Sequence, residues 1–128
     1  MSNIRGYVLA LTESEGVFSI HGLWPQIDSR HWPQFCTEQS FDLARLRPLV
    51  SELHKHWHSS RGPDQRFWQH EWEKHGTCTG MTEYDYFAKT LELFAHVCVH
   101  GWDKAKYGLR IPVSLDWQIG KDDWLEHV

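Results

Sequence analysis

A short apolar run, YVLAL (7–11), precedes a TESEG turn and then VFSIHGLW (17–24), whose first half alternates. These two stretches read as strands. Alternation puts Phe18 and Ile20 on one side of the second strand and Ser19 and His21 on the other. After a loop rich in turn formers and aromatics, PQIDSRHWPQFC, the period changes. Leu46, Leu49, Val50, Leu53 and Trp57 recur at helical spacing and predict a helix from about Leu43 or Arg47 to Trp57, with Pro48 in its first turn. A loop over 59–65 leads to a second predicted helix over 67–75, which Gly76 would cap. A third, over 83–98, follows the cap candidate Thr82, with Tyr84, Phe87, Leu91, Phe94 and Ala95 as its apolar positions. Beyond Gly101, LRIPVSLDW reads as a strand broken at Pro112. No repeat, low-complexity run or linker interrupts the chain, so 1–128 reads as one domain.

Composition changes this picture in one respect. Hydrophobic content is ordinary, and no apolar run approaches membrane-spanning length, so no membrane partner is expected. The chain carries 8 Trp and 10 His, however. Indoles offer ring faces on which bases stack, and imidazoles change charge near neutrality. Charging all ten His moves the formal net charge from −4 to +6, which would favour a polyanionic partner in mild acid. Cys36, Cys78 and Cys98 form no CxxC, which argues against structural zinc; one disulfide with one thiol left over is possible, and spacing does not choose the pair. The first residues show no secretory leader, so the chain reads either as intracellular or as lacking a leader it once had.

Chemistry concentrates in FWQHEWEKHGTC (67–78). HEWEKH approaches the zinc motif H-E-x-x-H, but its two His stand five apart, about 140° round a helix, too far for chelation. On the same wheel His70, Lys74, Phe67, Glu71 and His75 occupy one arc, with Trp68 and Trp72 beyond it. A solvated face stapled by the His70/Lys74 and Glu71/His75 spacings is the bland reading. A second stretch, FSIHGLWPQ (18–26), gives the arc a possible counterpart: His21 mid-strand, with Gly22 allowing close approach of another group. If His21 faces the helical arc, the cleft holds three imidazoles, a carboxylate and an ammonium. That set suits in-line displacement at phosphorus without metal or cofactor: one imidazole takes a proton, another gives one, and cations hold the phosphoryl oxygens.

FSIHGLWPQ and FWQHEWEKHGTC resemble, in order, the two active-site segments of the ribonuclease T2 family; SFDLARLRPLVSELHKHW and TEYDYFAKTLELF are similar to plant-type members. The similarity runs over roughly 7–112. It implies an α+β fold, an antiparallel sheet flanked by helices, with the active-site cleft between a strand and a helix. It also implies an acid-type endoribonuclease acting on single-stranded RNA as a monomer, secreted or held in a vacuole or lysosome. Attack of the ribose 2′-hydroxyl gives a 2′,3′-cyclic phosphate and then a 3′-phosphate. By motif position His21 and His75 are the acid/base pair, with His75 as first-step base. His70 holds the phosphate, and Glu71 and Lys74 stabilise the pentacoordinate state. Trp24 and Gln26 take the base 5′ of the cleaved bond, and Phe67 the next. The family's pattern also pairs Cys36 with Cys78 and leaves Cys98 as a free thiol buried on its helix. The alternative readings are a catalytically weak RNA-binding relative, and a His-based metal protein drawing on pairs such as His54 and His58.

Overall fold

The computed structural model describes residues 3–126. Strand β1 (Gly6–Ser14) turns at Glu15 and Gly16, both at positive φ, into the antiparallel β2 (Val17–Gln26). A third strand, β3 (Arg110–Ser114), pairs antiparallel with the other side of β1, giving the order β2-β1-β3. The fold class is α+β, as expected. Between β2 and β3 run α1 (Val50–His56), α2 (Asp64–Lys74), α3 (Glu83–His100) and the short α4 (Lys104–Tyr107).

One irregularity in β2 decides where its side chains go. Ala10 pairs with Gly22 but Leu11 pairs with Ile20, so His21 is an extra residue without a partner in the ladder. This bulge reverses the alternation. Before it, Ile20 enters the core; after it, Leu23 does, both fully buried. Gly22, Trp24 and Gln26 then share the opposite face, in register with Ala10, Val8 and Gly6 of β1.

Tyr7, Leu9, Leu11, Ile111 and Val113 complete the sheet's side of the core, against Leu53 and Trp57, Trp68 and Trp72 of α2, and Tyr86, Phe87 and Phe94 of α3. At the outer edge of β2, side chains satisfy backbone groups. The Tyr86 hydroxyl donates to the Leu23 carbonyl at 2.9 Å, and the Trp57 indole to that of His21 at 3.0 Å.

Several expectations need correction. Pro112 does not break its strand: β3 lies at the sheet edge, and Pro112 turns its carbonyl outward to the amide of Gly120 (2.8 Å), so its missing N–H falls where the ladder needs none. The segment before α1 is 3₁₀ (Leu43–Leu49), started by Asp42 capping the Ala44 amide, and Pro48 falls in that turn. Helix α2 begins three residues before the predicted start, at Asp64, whose carboxylate accepts from Ser59 N and pairs with His54, both at 2.7 Å. Gly76 is not in the left-handed conformation; it is needed for space, since a Cβ there would overlap the Trp72 ring. Thr82 does cap α3, but the helix buries Glu83, Tyr86, Phe87, Thr90, Leu93, Phe94 and Val97. Tyr84 and Ala95 face out, and Cys98 is exposed, not buried.

The Cys36–Cys78 disulfide is present. It holds the loop after β2 against the end of α2, helped by Phe35 N to the Lys74 carbonyl (2.9 Å) and the Trp72 indole to that of Gln39 (3.2 Å). No helix among the described residues is long and apolar enough to cross a membrane.

Candidate active site

The C-terminal half of α2 runs alongside the bulged stretch of β2, and between them opens a cleft of about 410 Å³. His21, Trp24, Gln26, Phe67, His70, Glu71, Lys74 and His75 all line it, so every residue singled out from the two motifs reaches one cavity. Ser29 and Trp32, which no sequence pattern marked, line it too.

Glu71 is the hub. It is buried, and its Oε2 lies 3.8 Å from His21 Nε2 while Oε1 lies 4.0 Å from His75 Nε2. The Trp24 indole donates to Oε1 at 3.0 Å. This approach exists because residue 22 is glycine: a Cβ there would overlap Oε1. Burial pushes the Glu71 carboxyl up to about 7, against the opposing pull of the Trp24 bond and the Lys74 charge.

The two flanking imidazoles differ. His75, the C-cap of α2, is 5 % exposed and stacks on Trp24 with ring centroids 5.2 Å apart. Burial first, then the charges of Lys74, His70 and His21, push it down to about 3, so it is neutral over the working range of most enzymes. Its Nδ1 is buried with no hydrogen-bond partner among the described residues. His21 is half-buried, edge-on to Trp24 (5.1 Å) and 5.6 Å from the Phe67 ring. Its pKa is lowered by burial and then by Arg110, His70 and Lys74.

At the cleft mouth, His70 is exposed beside Phe35 (6.5 Å). Gln26 is buried, and its amide donates to the Asp28 carbonyl at 2.8 Å. Asp28 in turn accepts from the amides of Arg30 and His31 at 2.8 and 2.9 Å, a turn that sets Trp32 at the rim. Among the described residues no group of three or more His, Cys, Asp or Glu converges as a metal site; His54 is paired with Asp64. Sequence reasoning also missed Arg110, whose guanidinium stands 5.0 Å from the Trp24 ring centroid. Nothing local to LRIPVS signals it, because it arrives from β3, two strands away.

The chain is similar to known ribonucleases. Intracellular ribonuclease LX of Solanum lycopersicum is 43% identical over 79 residues, covering 59% of this chain and 33% of the relative. Ribonuclease 1 of Arabidopsis thaliana is 37% identical over 124 residues, covering 85% of this chain and 54% of the relative. The chain thus spans about a third to a half of the length of these curated relatives. Among solved structures, RNase NT in complex with 5′-AMP superposes with a TM-score of 0.73 at 22% identity, over 100% of this chain and 94% of that one. Ribonuclease MC1 from bitter gourd seeds gives 0.60 at 26%, over 82% and 75%. A sequence model of the Ribonuclease T2 family matches residues 5–107. The chain belongs to the Ribonuclease T2 family.

Proposed function

We propose that this protein is an endoribonuclease that cleaves single-stranded RNA by transphosphorylation, with His75 and His21 as base and acid. The observation that carries the reading is the pair of imidazoles on either side of buried Glu71, at 3.8 and 4.0 Å, in one open cleft. Neutral His75 takes the proton of the ribose 2′-hydroxyl as that oxygen attacks phosphorus. Protonated His21, nearer solvent, delivers a proton to the departing 5′-oxygen. The first step yields a 2′,3′-cyclic phosphate and a free 5′-hydroxyl; with the roles reversed, water opens the ring to a 3′-phosphate.

Glu71 acts as a neutral acid. With Oε1 accepting from Trp24, Oε2 is the oxygen left to carry a proton towards a phosphoryl oxygen, beside the Lys74 ammonium. His70, exposed one turn before Lys74, is placed to meet the phosphate. Trp24 and Trp32 offer ring faces for one base, Phe67 for its neighbour. Nucleotides in complex with relatives, 5′-AMP with RNase NT and 5′-UMP with a variant of ribonuclease MC1, support a nucleotide-sized occupant. Relatives include both intracellular and extracellular ribonucleases, and a monomer acting in an acidic compartment fits the charge reversal of its histidines.

Digestion of polyuridine with EDTA across acid to neutral pH tests the reading. Cleavage to products ending in cyclic or 3′-phosphate is expected. RNA binding without turnover would instead make the chain a binding relative of the family.

A further inference from the structure

Strand β3 lies beyond the family-matched segment, yet it brings a cation up to Trp24, a residue of the cleft wall. Arg110 pairs with Ala10, and Ala10 with Gly22, so the row across the sheet next to Trp24 carries one long side chain and two minimal ones. Glu71 and Trp24 fill the space above Gly22, and the small Ala10 leaves room for the Arg110 side chain to reach that indole. Its Nη1 donates to the Leu11 carbonyl at 3.0 Å and the Leu109 carbonyl at 3.3 Å, where the ladder between β1 and β3 ends. Thus anchored, the guanidinium stands 5.0 Å from the centroid of the Trp24 ring. Trp24 is therefore held by three groups: a stacked His75, a hydrogen-bonded Glu71 and the Arg110 cation.

We propose that Arg110 is a positioning residue of the cleft: tied to β1 through Leu11, it locks the Trp24 indole beside Glu71 and His75 and sets a permanent cation beside His21. Other charges also face His21. Glu71, His70 and Lys74 approach from α2 and His75 from its end, while Glu13 of β1 and the loop residues His58 and Arg61 line a neighbouring cavity that His21 also borders. A guanidinium, unlike an imidazole, keeps its charge from acid to neutral pH, and that of Arg110 is also anchored by backbone carbonyls. It disfavours a proton on His21, in line with the lowered pKa of that ring.

Arg110's effect on the rate rests on the ribonuclease reading; its effect on His21 and Trp24 does not. Three variants separate them: R110K keeps the charge, R110M keeps length without charge, and R110A removes both. Proton NMR should show the His21 titration midpoint moving to higher pH in R110M and staying with the parent in R110K. The alkaline limb of kcat/KM should move by the same interval. The Trp24 indole N–H, which donates to Glu71, should exchange with solvent roughly tenfold faster in R110A. Should R110M fail to fold, R110Q carries the same comparison. A His21 midpoint unchanged in R110M, or an indole exchange rate unchanged in R110A, overturns the proposal. A parent that cleaves nothing at any pH, with the NMR shifts as stated, overturns the ribonuclease reading and upholds Arg110's placement.

Discussion

Gly22 and Glu71 are in direct contact: a Cβ on residue 22 would overlap the carboxylate's Oε1 and lie 2.6 Å from the Trp24 indole nitrogen. Strand and helix can bring their imidazoles together only because one residue between them has no side chain. Gly22→Ala is therefore predicted to push Glu71 and Trp24 out of place. Overpacking of this kind costs about 1–3 kcal/mol of stability, which a denaturant titration reads. Ribonuclease activity should fall by more than that loss explains. An alanine variant with parental kcat/KM would contradict the geometry.

The acid/base pair dictates a pH profile. His75 must be neutral to act as base, and burial holds it down at about 3, so the acid limb falls there. His21 must be protonated to act as acid, and its pKa lies below the ordinary 6.5, so the alkaline limb falls below 6.5. Glu71 is still protonated across that interval, because its value is about 7. The rate should thus form a bell with its maximum in distinctly acidic solution. His21→Phe should move the alkaline limb up to about 7, where Glu71 loses its proton, and cost roughly 10²–10⁴-fold in rate. A maximum at or above neutrality would count against these roles.

Glu71 and His75 also tie stability to pH, with opposite signs. For Glu71 the folded value of about 7 exceeds its ordinary 4.5, so between these pH values the unfolded chain has released a proton that the fold retains. Stability from this group is lost as pH rises through that interval. For His75 the folded value of about 3 lies below 6.5, so stability is lost as pH falls from 6.5 towards 3. Glu71→Gln removes the first dependence only. Its stability relative to the parent should rise between pH 4.5 and 7 in urea melts, and a flat difference would argue against a buried neutral carboxyl.

The disulfide closes a sequence separation of 42 residues, worth about 4 kcal/mol in the chain-entropy view. Cys36→Ser should lower stability by roughly that amount and loosen the end of α2 that carries His75. Thermal unfolding with and without reductant measures the first effect, and the drop in activity below the melting range the second. Cys98 is exposed and unpaired, so Cys98→Ser should change neither.

Local pattern carried a good part of this structure. The order of the strands and of the three longer helices followed from period and turn residues, and eight of the ten residues lining the cleft from two motifs. What the pattern hid is mostly tertiary. Strict alternation sends His21 and Trp24 to opposite faces, since they stand three apart; the bulge that reunites them depends on Leu11 pairing with Ile20, which no residue in VFSIHGLW announces. The buried stripe of α3 runs through Glu83 and Thr90, polar residues whose side chains serve Asp42 N and the Tyr86 carbonyl, so hydrophobicity alone drew the stripe one position off. Pro112 looked like a breaker because edge position is invisible in sequence. Arg110 reaches Trp24 only through a pairing of strands a hundred residues apart.

Cleavage of a short single-stranded oligonucleotide at acidic pH with EDTA present, followed by phosphorus NMR for the parent and His75→Phe, bears most directly on the two imidazoles astride Glu71. The parent should accumulate a 2′,3′-cyclic phosphate that later converts to 3′-phosphate, and the variant should form it orders of magnitude more slowly. Equal rates in the two proteins, or a parent whose products never pass through the cyclic species, would contradict the assignment.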